Sequence, residues 1–382
     1  MSGRLPPLVD PGPTLTAAQV ARYARHLALA EVGEVGQRRL LASRVLVLGA
    51  GGLGSPVLLY LAAAGVGTLG VLDDDVVETS NLQRQVVHGA GDVGRAKVDS
   101  AADAVRALDP ALDVRTHAVR LTADNAHELL AGYDVVVDGT DNFATRYLVN
   151  DVCAALRTPW VWGSLQRGHA QVSTFWSDPP TGHGVDLRDV FGGPPPDGSV
   201  PSCVVDGVLG AVCAAAGAAM ALEVVKLVCG TGRTLLGRVA VHDAFAATWQ
   251  DVPVRRRADA VAQPVTRAGT REGVAPRPGD DAGTDELLAL LAAPDVDVVD
   301  LRDTVEAAHG PLPGTRHVPF ARFVDDSTLA QLDPDRPLLL VCRAGTRSAH
   351  AAALARAAGV RDVRPVPGGL TTWVRLAAAR GA

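Results

Sequence analysis

Arg44–Leu48 (RVLVL) is a short apolar strand that runs directly into Gly49-Ala50-Gly51-Gly52-Leu53-Gly54 and then into a helix over about 55–64. No other stretch limits the fold as strongly. A G-x-G-x-x-G turn between a strand and a helix is the sequence form of a βαβ unit, so it predicts a mostly parallel α/β sheet. In that setting Gly49, Gly51, Gly52 and Gly54 let backbone N–H groups and a helix N-terminus face a phosphate. The bland alternative is a tight turn that binds nothing. Residues 69–72 predict the next strand, and Asp73 at its end is positioned to bond a ribose hydroxyl. Taken alone, these residues point to a dinucleotide oxidoreductase.

The remaining pattern agrees with α/β. Residues 16–42 read as helical, with Thr16 as a possible cap; 96–108 form an amphipathic helix, and 112–119 and 134–137 are strands. Residues 160–176 and 238–243 predict further strands, and 207–228 a long, nearly all-apolar buried helix. Composition then shifts. Residues 255–281 are rich in Ala, Pro, Gly and charge without apolar periodicity, which reads as a linker. A second, smaller α/β unit follows, with helices near 284–292, 303–309, 347–358 and 369–379 and strands at 296–300, 338–342 and 362–366. The chain of 382 residues thus divides into a first domain over 15–250, a linker over 251–282 and a second domain over 283–382.

Composition excludes several classes. The net charge of −6 and 4% aromatic content argue against a nucleic-acid surface. Five cysteines with no C-x-x-C pair do not make a disulfide scaffold. The uncharged run 45–72 holds seven glycines and Pro56, and reads as strand, turn, helix and strand rather than a membrane span. Residues 1–13 lack an apolar signal core, so the expectation is a cytoplasmic protein with no membrane partner.

Two cations change the nucleotide reading. Arg84 lies in Ser80-Asn81-Leu82-Gln83-Arg84-Gln85, and Lys97, one of only two lysines, opens the helix that follows. Near a phosphate cradle they suit a triphosphate better than a dinucleotide. Asp141, after the strand 134–137, is a reasonable Mg²⁺ ligand. Surface ion pairs for Arg84 and Lys97, and a helix N-cap for Asp141, are the structural alternatives.

Together G-A-G-G-L-G, L-D-D-D, S-N-L-Q-R-Q, V-G-R-A-K-V and G-T-D-N-F-A-T-R resemble the ThiF/MoeB adenylyltransferases, relatives of ubiquitin-activating enzymes, over about residues 20–250. The resemblance implies a Rossmann-like fold in which Gly49–Gly54 hold ATP, Asp73 the ribose, Arg84 and Lys97 the phosphates and Asp141 the Mg²⁺, with Asn81 in the same motif. Arg25 matches an arginine that reaches the ATP site of the other subunit, so a homodimer is implied. The implied reaction is adenylation of a small ubiquitin-like sulfur carrier ending in Gly-Gly. An oxidoreductase would leave S-N-L-Q-R-Q and Asp141 without a task. Cys203, in Pro201-Ser202-Cys203, matches the family cysteine that can link covalently to the activated carrier. Cys153, Cys213 and Cys229 read as core. Many relatives bind zinc through two C-x-x-C pairs; His183–Arg188 and Val252–Arg257 contain none, so no zinc is expected, a departure shared with MoeZ-type proteins.

The second unit carries its own chemistry. A buried strand ends in Cys342-Arg343-Ala344-Gly345-Thr346-Arg347-Ser348 and a helix begins. A thiolate at a helix N-terminus between arginines is expected to be reactive, with consecutive N–H groups forming an anion nest. The C-x-x-x-x-R loop, with Val299-Asp300-Leu301-Arg302-Asp303 and Gly368-Gly369-Leu370-Thr371-Thr372-Trp373, resembles rhodaneses, which hold a persulfide on the cysteine; Asp300 and Arg302 read as fold supports. The expected pathway is carrier adenylation followed by sulfur transfer from a Cys342 persulfide, charged by thiosulfate or a persulfidated cysteine desulfurase, to give a thiocarboxylate. Two other classes stay open: an activator of a ubiquitin-like modifier for protein conjugation, and a scaffold with an inert rhodanese domain.

Overall fold

The computed structural model describes residues 5–194, 207–256, 287, 295–308, 310–343, 345–370, 372–374 and 376. Cys203, Ala344, linker residues 257–282 and the predicted helix 284–292, apart from Leu287, lie outside the described residues. The described chain divides into two compact units.

The first unit runs α1 (Ala17–Arg22), α2 (Ala24–Leu27), α3 (Gly33–Ala42), β1 (Arg44–Leu48), α4 (Gly54–Ala64), β2 (Thr68–Leu72), α5 (Lys97–Leu108), β3 (Asp113–His117), α6 (Ala126–Ala131), β4 (Val135–Asp138), α7 (Phe143–Leu156), β5 (Trp160–Gln166), β6 (His169–Phe175), α8 (Leu187–Phe191), α9 (Gly210–Cys229), β7 (Arg238–Asp243) and β8 (Thr248–Pro253). Residues 16–42 are helical, as the sequence indicates, in three segments. The second and third are separated by a turn that ends at Gly33 with φ +57°, left-handed backbone a continuous helix cannot contain. Thr16 does cap α1, in a reciprocal box with Gln19.

The eight strands form one sheet in the order β3-β2-β1-β4-β5-β6-β7-β8. Neighbours from β3 through β5 are parallel; β5 to β8 continue as antiparallel hairpins. Strand β8 runs past residue 250, the sequence-based edge of the linker. The pleat sends alternate side chains of β1 to opposite layers. Val45 and Val47 join α4, α5 and α9 residues such as Val57, Val98 and Val224; Leu46 and Leu48 join Leu130, Val149 and Trp160. Helix α9 is apolar and long enough to cross a membrane by length and composition, yet it packs on α4, β5 and β6 as a core helix. Gly217 permits this approach, because a Cβ there would sit 2.8 Å from the Leu53 carbonyl oxygen.

The second unit runs β9 (Asp297–Asp300), α10 (Thr304–Ala308), β10 (Arg316–His317), α11 (Phe320–Phe323), α12 (Asp326–Leu329), β11 (Leu338–Val341), α13 (Thr346–Ala357) and β12 (Val363–Pro365). Leu370, residues 372–374 and Leu376 are helical, as the sequence indicates. All strands are parallel, in the order β10-β9-β11-β12. Leu338 and Leu340 pack with Phe323 and Ala352 on one face; Leu339 and Val341 pack with Val366 and Trp373 on the other.

Candidate functional site

Each sheet has a point where strand order reverses, and in open α/β sheets ligands bind beyond the carboxyl ends of the strands there. In the first unit it lies between β1 and β4. The turn after β1 and the loop after β4 meet: the Gly139 N–H donates to the Leu48 carbonyl (3.0 Å), and a Cβ on Gly49 would lie 3.4 Å from the Gly139 carbonyl oxygen. Gly49 has φ +84°. A Cβ on Gly54 would overlap the Gly49 carbonyl oxygen, so the turn closes this tightly only with glycine there.

The Ala50 peptide is held from both ends. Its N–H donates to Asp73 Oδ2 (2.8 Å), and its carbonyl lies 3.0 Å from His88 Nε2. Asp73 Oδ1 accepts the Asp75 N–H (2.9 Å), so both oxygens of the predicted ribose ligand already brace backbone. Burial raises the Asp73 pKa, with Lys97 and these N–H groups opposing. His88 Nδ1 is 2.8 Å from Ser100 Oγ; burial, helped by Lys97, lowers the His88 pKa against the pull of the Ala50 carbonyl. His88 went unread in the sequence because a lone histidine carries no pattern; only its contact with Ala50 identifies it.

The Ser80–Gln85 segment packs on the glycine turn: a Cβ on Gly52 would meet Arg84 Cγ at 3.6 Å, and one on Gly51 would meet Gln85 Nε2 at 3.7 Å. Arg84 Nη1 donates to the Ser80 carbonyl (3.0 Å), and Arg84 forms no ion pair among the described residues. Asn81 is buried and accepts the Glu78 N–H, a local structural bond. Lys97 is buried, and its Nζ lies 2.9 Å from Oδ2 of the exposed Asp75. Asp141 is exposed on the β4 loop. The side chain that caps α7 is Asn142, accepting the Thr145 N–H at 2.8 Å, and not Asp141, the structural alternative weighed from sequence. That leaves the Asp141 carboxylate without a hydrogen bond or ion pair among the described residues. At the end of β4 Asp138 is fully buried, which raises its pKa; Oδ1 accepts from Thr140, while Oδ2 has no hydrogen-bond partner among the described residues. Arg25 is exposed on α2 and forms no ion pair among the described residues.

Cys153, Cys213 and Cys229 are buried, as the core reading expects. Burial pushes the Cys229 thiol up to about 11 and raises that of Cys153 further.

In the second unit the order reverses between β9 and β11, and Cys342 follows β11. It is buried, and its Sγ accepts from the Gly345 N–H (3.2 Å) and the Ser348 N–H (3.4 Å) at the start of α13, while the thiol donates to Ser348 Oγ (3.6 Å). Gly345, at φ +90°, turns the loop so that these groups converge. Arg347 is buried and bonds Glu306 Oε2 (2.8 Å) and Asp303 Oδ2 (3.3 Å) from the loop and helix after β9. Burial opposes its charge, but Glu306, Asp303 and Cys342 outweigh that and raise its pKa. Thr346 opens α13. Asp300 and Arg302 form a buried pair (2.8 Å); Arg302 also donates to the Gly310 and Glu306 carbonyls, fixing the segment that carries Glu306. Glu306 has no motif in the sequence reading and is visible only through these contacts.

The ThiF family model matches residues 23–262, and the rhodanese-like domain model matches residues 283–376. The chain is 44% identical over 391 residues to the probable adenylyltransferase/sulfurtransferase MoeZ of Mycobacterium tuberculosis, covering 98% of each chain. It is 46% identical to the sulfur carrier protein adenylyltransferase of Thermus thermophilus over 63% of this chain and 89% of that one. Among solved structures it resembles the E. coli MccB complex with ATP, with a TM-score of 0.53, 20% identity, and coverage of 62% of this chain and 72% of that one. At that identity the likeness speaks to fold.

Proposed function

The chain belongs to the ThiF family and carries a rhodanese-like domain, and on that premise we propose that it adenylates the C-terminal Gly-Gly of a small sulfur-carrier protein and then converts it to a thiocarboxylate with sulfur held on Cys342. The observation that carries this reading is the presence, in one chain, of a tight glycine turn flanked by Arg84 and Lys97 and of a thiol that accepts from two backbone N–H groups.

The residues suit the chemistry. A carboxylate is ionised at pH 7, so attack on the α-phosphorus needs no general base. The work is to position two anions and offset charge as pyrophosphate leaves. The glycine turn at Gly49–Gly54 would receive the phosphates, with Arg84 and Lys97 beside them; Lys97 would exchange exposed Asp75 for phosphate. Asp73 would add a ribose hydroxyl to the N–H groups it already accepts. The free, hard oxygens of Asp141 fit a Mg²⁺ ion, which would supply charge neutralisation at the leaving pyrophosphate. Arg25 would complete the site of a partner subunit in a homodimer. No structural zinc is part of this reading.

Sulfur transfer then needs a nucleophile at the acyl carbon. The terminal sulfur of a Cys342 persulfide forms the C–S bond as the C–O bond breaks and AMP leaves with the electron pair. The resulting acyl disulfide is cleaved by a second thiol, the role that resemblance gives Cys203, and an external thiol reduces the Cys203–Cys342 disulfide. The donor charging Cys342 would be thiosulfate or a persulfidated desulfurase.

The test mixes enzyme, Mg-ATP, a Gly-Gly carrier and thiosulfate and reads the intact mass of the carrier. Replacement of one oxygen by sulfur, lost in Cys342→Ala, is the expected result. An AMP adduct without sulfur across several carriers and donors refutes the sulfur step and favours an activator for conjugation.

A further inference from the structure

The two arginines that flank the reactive sulfur in sequence share one carboxylate. Glu306 meets Arg347 Nη2 through Oε2 at 2.8 Å and Arg343 Nε through Oε1 at 3.0 Å. Asp303 adds a contact to Arg347 Nη1 at 3.3 Å. Two cations and two anions therefore form one cluster whose formal charges cancel, and Arg347 is its member that faces the charge of Cys342. The arrangement is built rather than incidental. Arg347 is buried, Glu306 is partly buried, and Oε2 also accepts the Asp303 N–H at 3.0 Å. The Glu306 backbone is held by Arg302, itself locked to Asp300. Burial works against the Glu306 charge, yet the Asp303 N–H and both guanidinium groups keep its carboxyl below the usual range. Glu306 is therefore anionic at neutral pH.

We propose that Glu306 is a specificity-determining positioning residue for Cys342: by engaging Arg343 and Arg347 together it withholds their charge from an incoming donor, and so sets the site against doubly charged sulfur donors relative to singly charged ones. This rests on the reading of Cys342 as the group that accepts sulfur. With thiosulfate, the Cys342 thiolate attacks the sulfane sulfur. A new S–S bond forms, the bond to the sulfonate sulfur breaks, and sulfite leaves with the electron pair, giving the persulfide anion. A dianion approaching that thiolate needs a cation beside it, and here each candidate arginine must first leave Glu306. With an arenethiosulfonate the same exchange releases a sulfinate, and the donor brings one negative charge less.

Two readouts on the full-length protein test the proposal. One is the rate of Cys342 alkylation, followed by peptide mass, with anionic iodoacetate against neutral iodoacetamide. The other is kcat/KM for thiosulfate against benzenethiosulfonate with cyanide as acceptor. Glu306→Gln is expected to raise both anion-preference ratios by about fivefold, the effect of one unit charge about 4 Å away under full bulk-water screening, and the gain should shrink with added salt. Glu306→Asp, which keeps the charge, should return both ratios toward wild type. Asp303→Asn should move them the same way by less. Unchanged or reduced ratios in folded Glu306→Gln overturn the proposal. If that variant does not fold, Asp303→Asn decides, since its side chain is mostly exposed, and unchanged ratios there overturn it equally. A wild-type enzyme that turns over no sulfur donor refutes the sulfur-accepting role of Cys342, while the alkylation ratio still decides the charge role of Glu306.

Discussion

His88 has no role in the proposed chemistry, yet it supports the peptide on which the glycine turn is built. The ring spans two contacts, with Nε2 3.0 Å from the Ala50 carbonyl and Nδ1 2.8 Å from the Ser100 hydroxyl. Burial lowers its pKa in the folded state. The unfolded chain therefore binds the extra proton first, as pH falls through the ordinary histidine range near 6.5. The stability His88 supports is fully present above that pH and is lost progressively below it. Urea titrations of the first unit from pH 7.5 to 5.5 should show the midpoint falling with acid, and His88→Gln should flatten that slope. An unchanged slope in the variant would remove His88 as its source.

At the scale of elements, the loop between β4 and α7 divides its labour between neighbours. Asn142 caps the helix through the Thr145 N–H, and so Asp141 keeps its carboxylate for another partner. Replacing Asn142 by Ala should cost about 1 kcal/mol of stability, the usual value of an N-cap. The KM for ATP in pyrophosphate exchange should also rise, because the first turn of α7 anchors the Asp141 loop. Denaturant melts read the first effect and exchange kinetics the second; a stability change with no change in KM would separate the cap from the site. The same loop shows how far sequence reaches. The motif G-T-D-N marks the site, but which of two adjacent polar residues caps and which stays free depends on where α7 starts, a matter of one residue in helix phase.

At the scale of the molecule, each unit has its own sheet, its own core and its own switch point. Activation and sulfur transfer should therefore be separable. Deleting 283–382 should leave ATP–pyrophosphate exchange near wild type and abolish thiocarboxylate formation; loss of exchange in a folded truncation would refute that division. The proposed dimer has its own test. If Arg25 serves the partner's site, Arg25→Ala and Lys97→Ala are each inactive alone. Mixed and re-equilibrated in equal amounts, they should recover about a quarter of wild-type exchange, since half the dimers are mixed and each of these has one intact site. No recovery from subunits shown to exchange would place Arg25 outside the neighbouring site.

The parallel α/β class, the glycine turn after β1, the acidic end of β2, the cysteine loop after β11 and the membership of both families are all legible in the sequence. These are local: glycine spacing, apolar runs and short motifs act within a few residues, where chain connectivity already fixes geometry. What those residues touch is set by how distant segments pack. Asp73 bracing Ala50, His88 beneath the same peptide, Lys97 resting on Asp75 and Glu306 joining Arg343 to Arg347 all depend on how separate strands and helices come together. The broken helical region 16–42 and the antiparallel half of the large sheet have the same origin. Apolar periodicity records that a segment is buried; the partner that buries it, and the direction from which it comes, are set by long-range packing.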